Sequence, residues 1–115
     1  MFAPRIFLIG LSGGGKSTAG RLVAERLGWD FADSDDEIER TAGTPVPELF
    51  AREGEKGFRE REAAVLRTLA ARDSVVVAAG GGAPTTAESR EALGSGFVVW
   101  LAVSPAESAR RLAQD

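Results

Sequence analysis

Apolar residues follow two rhythms along this chain. Ile6-Phe7-Leu8-Ile9, the β-branched stretch Ser74 to Ala79, and Phe97-Val98-Val99-Trp100-Leu101 are short unbroken runs, the pattern of strands buried on both faces. Trp29 to Ala32 reads as a further short strand. Between these runs the apolar positions recur at helical spacing. Leu22, Val23 and Leu27 carry a helix from about Lys16 that stops at Gly28, a plausible C′ residue. Ser34 followed by Glu37 has the form of a capping box, so a helix is predicted from about Ser34, ended by Gly43 and Pro45. Pro47 to Arg52 can form a short helical piece stopped by Gly54, and a longer helix is predicted from about Glu55 to Arg72. Thr86 to Leu93 is helical, and Ser104 with Pro105 opens a last helix.

Strands alternating with helices predict an α/β three-layer sandwich around a parallel sheet. Right-handed crossovers bring the C-terminal ends of such strands to one edge, where ligands bind. Three segments follow directly on strands: the loop after Ile9, the acidic cluster at Asp33, and Gly80-Gly81-Gly82. All three are therefore expected at that edge.

The first of these segments carries the most specific chemistry. Gly10-Leu11-Ser12-Gly13-Gly14-Gly15-Lys16-Ser17-Thr18 fits the phosphate-loop pattern G-x-x-x-x-G-K-[ST], between a strand and a helix start. Backbone N–H groups and the positive end of the helix dipole would surround an anion there. The glycines admit oxygen atoms that a Cβ would hold away. Lys16 would reach the β- and γ-phosphates, and the Ser17 hydroxyl would ligate Mg²⁺. The plain alternative is a glycine-rich turn with a solvated lysine.

Composition narrows the chemistry further. The chain has 115 residues, no cysteine and no histidine, with a net charge of −3. Disulfides, thiolate nucleophiles, the usual zinc sites and Ser-His triads are excluded. Acid–base work falls to carboxylates, lysine or water. No basic run suggests nucleic acid or a membrane surface, and no signal peptide or membrane span is readable, so a cytoplasmic location is expected.

Asp33 and Asp35 are two residues apart at a strand end. Either they only favour a helix N-terminus, or one serves a metal and the other a second ligand. Mg²⁺ takes one or two carboxylates plus substrate phosphates, so Ser17 and Asp33, directly or through water, could supply the protein's share. On the long helix, with Phe58 at zero, Glu62 falls about 40° away inside the apolar stripe, and Arg59 about 100° round at its margin. A carboxylate on such a stripe should be paired, and Arg59 is the obvious partner. The pair is either a salt bridge at the core edge or a brace that frees one face of the guanidinium for a small carboxylate or hydroxyl ligand. Gly80-Gly81-Gly82 is either a connector or bare backbone against which a ring-sized ligand packs.

Four linked motifs, G-x-x-G-x-G-K-S-T, F-x-D-S-D-x-x-I-E, G-E-x-G-F-R-x-x-E and G-G-G, resemble shikimate kinase in order and spacing over nearly the whole chain. The resemblance implies a P-loop, nucleoside-monophosphate-kinase-like fold and transfer of the γ-phosphoryl of Mg·ATP to the 3-hydroxyl of shikimate. It implies that Gly13, Gly14, Gly15, Lys16, Ser17 and Thr18 hold the ATP phosphates and that Ser17 and Asp33 serve Mg²⁺. Asp35 would bind the shikimate hydroxyls and accept the proton; Arg59 would meet the carboxylate; Gly80, Gly81 and Gly82 would line the pocket. Lys16 and Asp35 are the expected catalytic pair. The expected partners are ATP and shikimate, on a monomer. Family members continue with an arginine-bearing lid, a second carboxylate-binding arginine, an edge strand and an adenine loop, so residues 1–115 are read as the N-terminal part of one kinase domain with the final strand and lid missing. Phe97 to Leu101 would then be an uncovered apolar edge. The alternatives are a kinase-like binding module without transfer, and another small-molecule kinase such as a gluconate kinase.

Overall fold

The computed structural model of the chain describes residues 5–10, 15–80 and 82–101. Valine-rich β3 (Val75–Ala78) and β1 (Arg5–Gly10) form the centre of a four-stranded sheet, flanked by β2 (Asp30–Asp33) and β4 (Phe97–Leu101). The order is β2-β3-β1-β4 and every pairing is parallel. Four residues of β3 are fully buried, as a strand covered on both faces requires. In register, Asp33 and Leu8 both face Ala78, and Gly10 faces Leu101. The strand ends carrying the glycine loop, the acidic cluster and the glycine triplet therefore lie along one edge, as expected.

Alternating side chains of β1 serve opposite layers, the period-two consequence of the pleat. Phe7 and Ile9, with Val75 and Val77, pack against Leu66 and Leu69 of α3 (Val46–Ala70) and Ala92 and Leu93 of α4 (Ala87–Leu93). Leu8 and Val76 pack against Ala24 of α1 (Gly15–Leu27), with Ile6, Val23, Trp29 and Phe31 around them. A third cluster, Ile38, Leu49 and Phe58, joins α2 (Ser34–Ala42) to α3. The three-layer α/β reading holds. At the sheet's edge β4 leaves Phe97, Val98 and Val99 exposed.

Several boundaries move by a residue, for identifiable reasons. Trp29 remains tied to α1 by its N–H on Ala24 O, so the parallel ladder starts one residue later, with Asp30 N–H on Ser74 O. The capping box is not formed. Asp33 is the N-cap of α2, its Oδ1 accepting from the N–H groups of Asp35 at 2.9 Å and Asp36 at 3.2 Å. Ser34 is the first helical residue instead, and its side chain is buried. Gly28 and Gly43 end α1 and α2 at φ values of 70° and 68°, the left-handed conformation that suits glycine. The two helical pieces foreseen either side of Gly54 are both present within α3, divided by a sharp break at that residue, where φ is 73° and ψ 179°. The helix expected from Ser104 lies outside the described residues.

Gly20 fixes how closely α1 approaches the sheet. A methyl there would lie 2.5 Å from Phe31 Cε1. Gly20→Ala should therefore destabilise the fold by about 1–3 kcal/mol through overpacking, despite alanine's better helix propensity. Chemical denaturation would measure this, and an unchanged midpoint would contradict it.

Candidate active site

At the sheet edge, Lys16 stands in the first turn of α1. Its Nζ donates to Gly10 O and to Ala79 O, both at 3.1 Å, so the ammonium bridges the ends of β1 and β3. One residue on, Ser17 Oγ donates to Asp33 Oδ2 at 3.1 Å. Asp33 divides its two oxygens: Oδ1 caps α2 and Oδ2 faces Ser17. Ser34 Oγ accepts from Gly80 N–H at 2.9 Å, tying the start of α2 to the end of β3. That bond carries Asp35 over Gly80.

Gly80 and Gly82 then make sense as absences of side chain. A methyl on Gly80 would lie 3.0 Å from Asp35 Oδ1 and 3.0 Å from Glu62 Oε2. A methyl on Gly82 would collide with the Arg59 guanidinium. Two carboxylates and one guanidinium thus close over backbone that has nothing to push them away. Arg59 Nη1 donates to Glu62 Oε1 at 3.0 Å, and its Nε lies 3.7 Å from Glu55 Oε1. Glu62 is fully buried within the apolar face of α3, as its place on the helical wheel predicts. Its second oxygen, Oε2, has no hydrogen-bond partner among the described residues.

The electrostatics follow from this crowding. Burial pushes the Asp35 carboxyl above its usual range, and the neighbouring Asp33 charge pushes it further, while Lys16 pulls it back. Burial likewise raises Glu62, opposed by the hydrogen bond and charge of Arg59. Acids held in this way are better proton acceptors than free carboxylates.

Lys16, Ser17, Asp33, Asp35, Arg59, Gly80 and Gly82 are therefore brought to one rim. Gly15 is the first residue of α1 and Thr18 lies one turn on. Gly13, Gly14 and Gly81 lie outside the described residues. The aromatic wall was not foreseen. Phe50 stacks on Phe58 with centroids 4.4 Å apart, and Arg59 Cζ lies 5.9 Å and 5.4 Å from the two ring centroids. Ser34, a cap by its sequence pattern, instead ties α2 to the end of β3. The signal for Phe50 was Gly54 between the two rings, a break that voids the helical wheel across it.

A sequence model of the shikimate kinase family matches residues 12–115. The chain belongs to the shikimate kinase family. The shikimate kinase of Synechococcus sp. (strain CC9902) is 49% identical over 110 residues, which span 96% of this chain and 58% of that protein. The solved shikimate kinase from Acinetobacter baumannii in complex with shikimate aligns with a TM-score of 0.89 at 49% identity, covering 94% of this chain and 61% of that one. The chain thus spans about three-fifths of the length of these shikimate kinases. A gluconokinase from Sinorhizobium meliloti aligns less well, with a TM-score of 0.66 at 26% identity over 99% of this chain and 66% of that one. The comparison favours the shikimate kinases over the gluconate-kinase alternative.

Proposed function

We propose that this chain provides the ATP-phosphate and acceptor sites of an enzyme that moves the γ-phosphoryl of ATP to the 3-hydroxyl of shikimate. The observation that carries the reading is the convergence of Asp35, Glu62 and Arg59 on Gly80 and Gly82, within the same rim as Lys16. Family membership, and a relative solved with shikimate, support it.

In this reading Gly13 to Thr18 hold the phosphates and Lys16 Nζ turns from backbone carbonyls to phosphate oxygens. The Arg59 guanidinium, braced by Glu62, receives the carboxylate of the acceptor. Phe50, Phe58 and Gly80 to Gly82 bound the acceptor's ring. Asp35 orients the hydroxyl. The hydroxyl oxygen forms a bond to the γ-phosphorus, and the bond from that phosphorus to the β,γ-bridging oxygen breaks, its electron pair leaving with ADP. The hydroxyl proton passes to the Asp35 carboxylate. Most of the rate arises from positioning and charge complementarity.

Ser17 and Asp33 suit Mg²⁺. Adjacent oxygens of an octahedral Mg²⁺ shell stand about 3 Å apart, and Ser17 Oγ lies 3.1 Å from Asp33 Oδ2. Among the described residues no group of three or more acidic, histidine or cysteine side chains could hold a metal. Mg²⁺ commonly binds through few protein ligands plus phosphate, so this fits. Bound there, directly or through water, it would offset charge on the β- and γ-phosphates. No helix among the described residues is long and apolar enough to cross a membrane, and the site asks for no nucleic acid. A monomer working in the cytoplasm remains our reading.

A coupled assay of ADP release with and without shikimate tests the proposal; release that ignores shikimate would end it. Arg59→Lys should raise the KM for shikimate about tenfold or more and leave that for ATP nearly unchanged, because lysine cannot offer a planar fork. Equal changes in both would make Arg59 structural.

A further inference from the structure

The break at Gly54 divides α3 into two pieces with different loyalties. Its φ of 73° and ψ of 179° fall in a region open essentially to glycine alone. Residues 46–53 belong with α2: Leu49 shares a small cluster with Ile38 and Phe58, and Glu39 Oε2 accepts from Val46 N–H at 2.7 Å. Among the described residues, Val65 alone packs against both this cluster and the main core under the sheet. Residues 34–53 thus pack as a unit that rests on Phe58 beyond the break, beginning beside Asp35 and ending at a glycine.

Besides the packing of Leu49 on Phe58 and of Arg59 over Phe50, two directional ties cross the break. One is the Phe50–Phe58 stack. The other is a fork: Arg61 Nε and Nη2 donate to Glu53 Oε1 and Oε2, each at 2.7 Å. That hydrogen bonding holds the Glu53 carboxyl below its usual range. The fork depends on Gly57, because a methyl there would lie 2.6 Å from Glu53 Cβ and push the side chain off its path. Both partners are partly exposed, with side chains 40% and 30% accessible. Such a pair adds little to global stability. Its bidentate geometry instead fixes direction.

We infer that Glu53 and Arg61 are a positioning pair: their fork across Gly54 sets the angle of the 34–53 unit against the rest of α3, and so the placement of Phe50 beside Arg59 and the affinity for the acceptor. The last step rests on the acceptor site proposed above; the fork's hold on the 34–53 unit does not. The pair contacts no reacting atom and acts through Phe50 and Arg59.

The test compares Arg61→Gln, Glu53→Gln, Gly57→Ala and the charge exchange E53R/R61E with the unaltered chain. Amide hydrogen exchange over residues 49–58 is read without ligand, and Kd values for shikimate and Mg·ADP are read by calorimetry. The single variants should speed that exchange about tenfold and weaken shikimate about three- to tenfold, with Mg·ADP within about twofold. The charge exchange should return both readouts toward the unaltered chain. Gly57→Ala gives an independent route, since it improves helix propensity yet displaces Glu53. Unchanged exchange in Arg61→Gln and Gly57→Ala, or equal weakening of both ligands, would overturn the inference. An unaltered chain that binds Mg·ADP and no shikimate would instead overturn the acceptor assignment, leaving hydrogen exchange to decide whether the fork holds the unit.

Discussion

Lys16→Ala should remove phosphoryl transfer, lowering kcat/KM on the order of 10²–10³-fold or more, while the fold survives. The ammonium is a cation fixed between the ends of β1 and β3, held by Gly10 O and Ala79 O at 3.1 Å each. In the proposed reading Nζ turns from these carbonyls to the phosphates of ATP. Charge spreading over the transferring phosphoryl then meets a full positive charge in a partly dehydrated rim, where such a charge counts most. Removing it costs transition-state stabilisation and a smaller amount of fold stability. Gly10 is partly exposed, so water can replace the lysine there, but Ala79 is buried and its carbonyl loses a partner. The fold should therefore lose about 1–3 kcal/mol, and thermal melting should fall modestly. ADP release measured on the purified variant checks the first half and a melting curve the second. Turnover retained at near the unaltered rate would mean Lys16 is a strap between strands.

How much of this was legible depends on whether the deciding force was local. The buried strands were legible because unbroken apolar runs have few other uses, and the glycine loop because eight positions agree with their flanks. Glu62 was legible for a similar reason: a carboxylate on an apolar stripe must find a cation, and Arg59 three residues back was within reach. The cap of α2 was not. Asp33 and Ser34 are both good N-caps, and the choice between them is made by β2, whose pairing with β3 runs through Asp33 and turns Ser34 toward Gly80 N–H. Phe50 was hidden by the same logic. On a continuous helix Phe50 and Phe58 would sit about 80° apart, and only the break at Gly54 lets the rings stack. The glycine triplet announced bare backbone, but what needs that bareness arrives from α2 and α3. Sequence patterns report what neighbours in the chain decide. The contacts that finish the rim are made between elements.

Asp35→Asn should separate activity from stability. In turnover, the variant lacks the carboxylate proposed to accept the hydroxyl proton and should fall about 10²–10⁴-fold in kcat, with the Kd for Mg·ADP within about twofold. In stability it should gain. Burial and the charge of Asp33 raise the Asp35 carboxyl above its ordinary value of 3.8, and Glu39 and Asp36 add to the effect while Lys16 opposes it. Glu62, raised by its own burial and in small part by Asp35, faces the same glycine. The sign follows directly. A carboxyl whose folded-state pKa lies above its unfolded one favours folding when protonated, and that contribution disappears as pH rises through the folded value. Without Mg²⁺ or nucleotide, Asp35→Asn should therefore melt close to the unaltered chain near pH 4 and clearly above it at pH 7, the gap opening as Asp35 ionises. An asparagine nearly matches the carboxylate in shape, so the gap reads the charge. A variant that loses turnover yet melts below the unaltered chain at pH 7 would show that Asp35 holds the rim together. The opposite outcome marks Asp35 as a charge kept at a cost in stability because the chemistry requires an acceptor there.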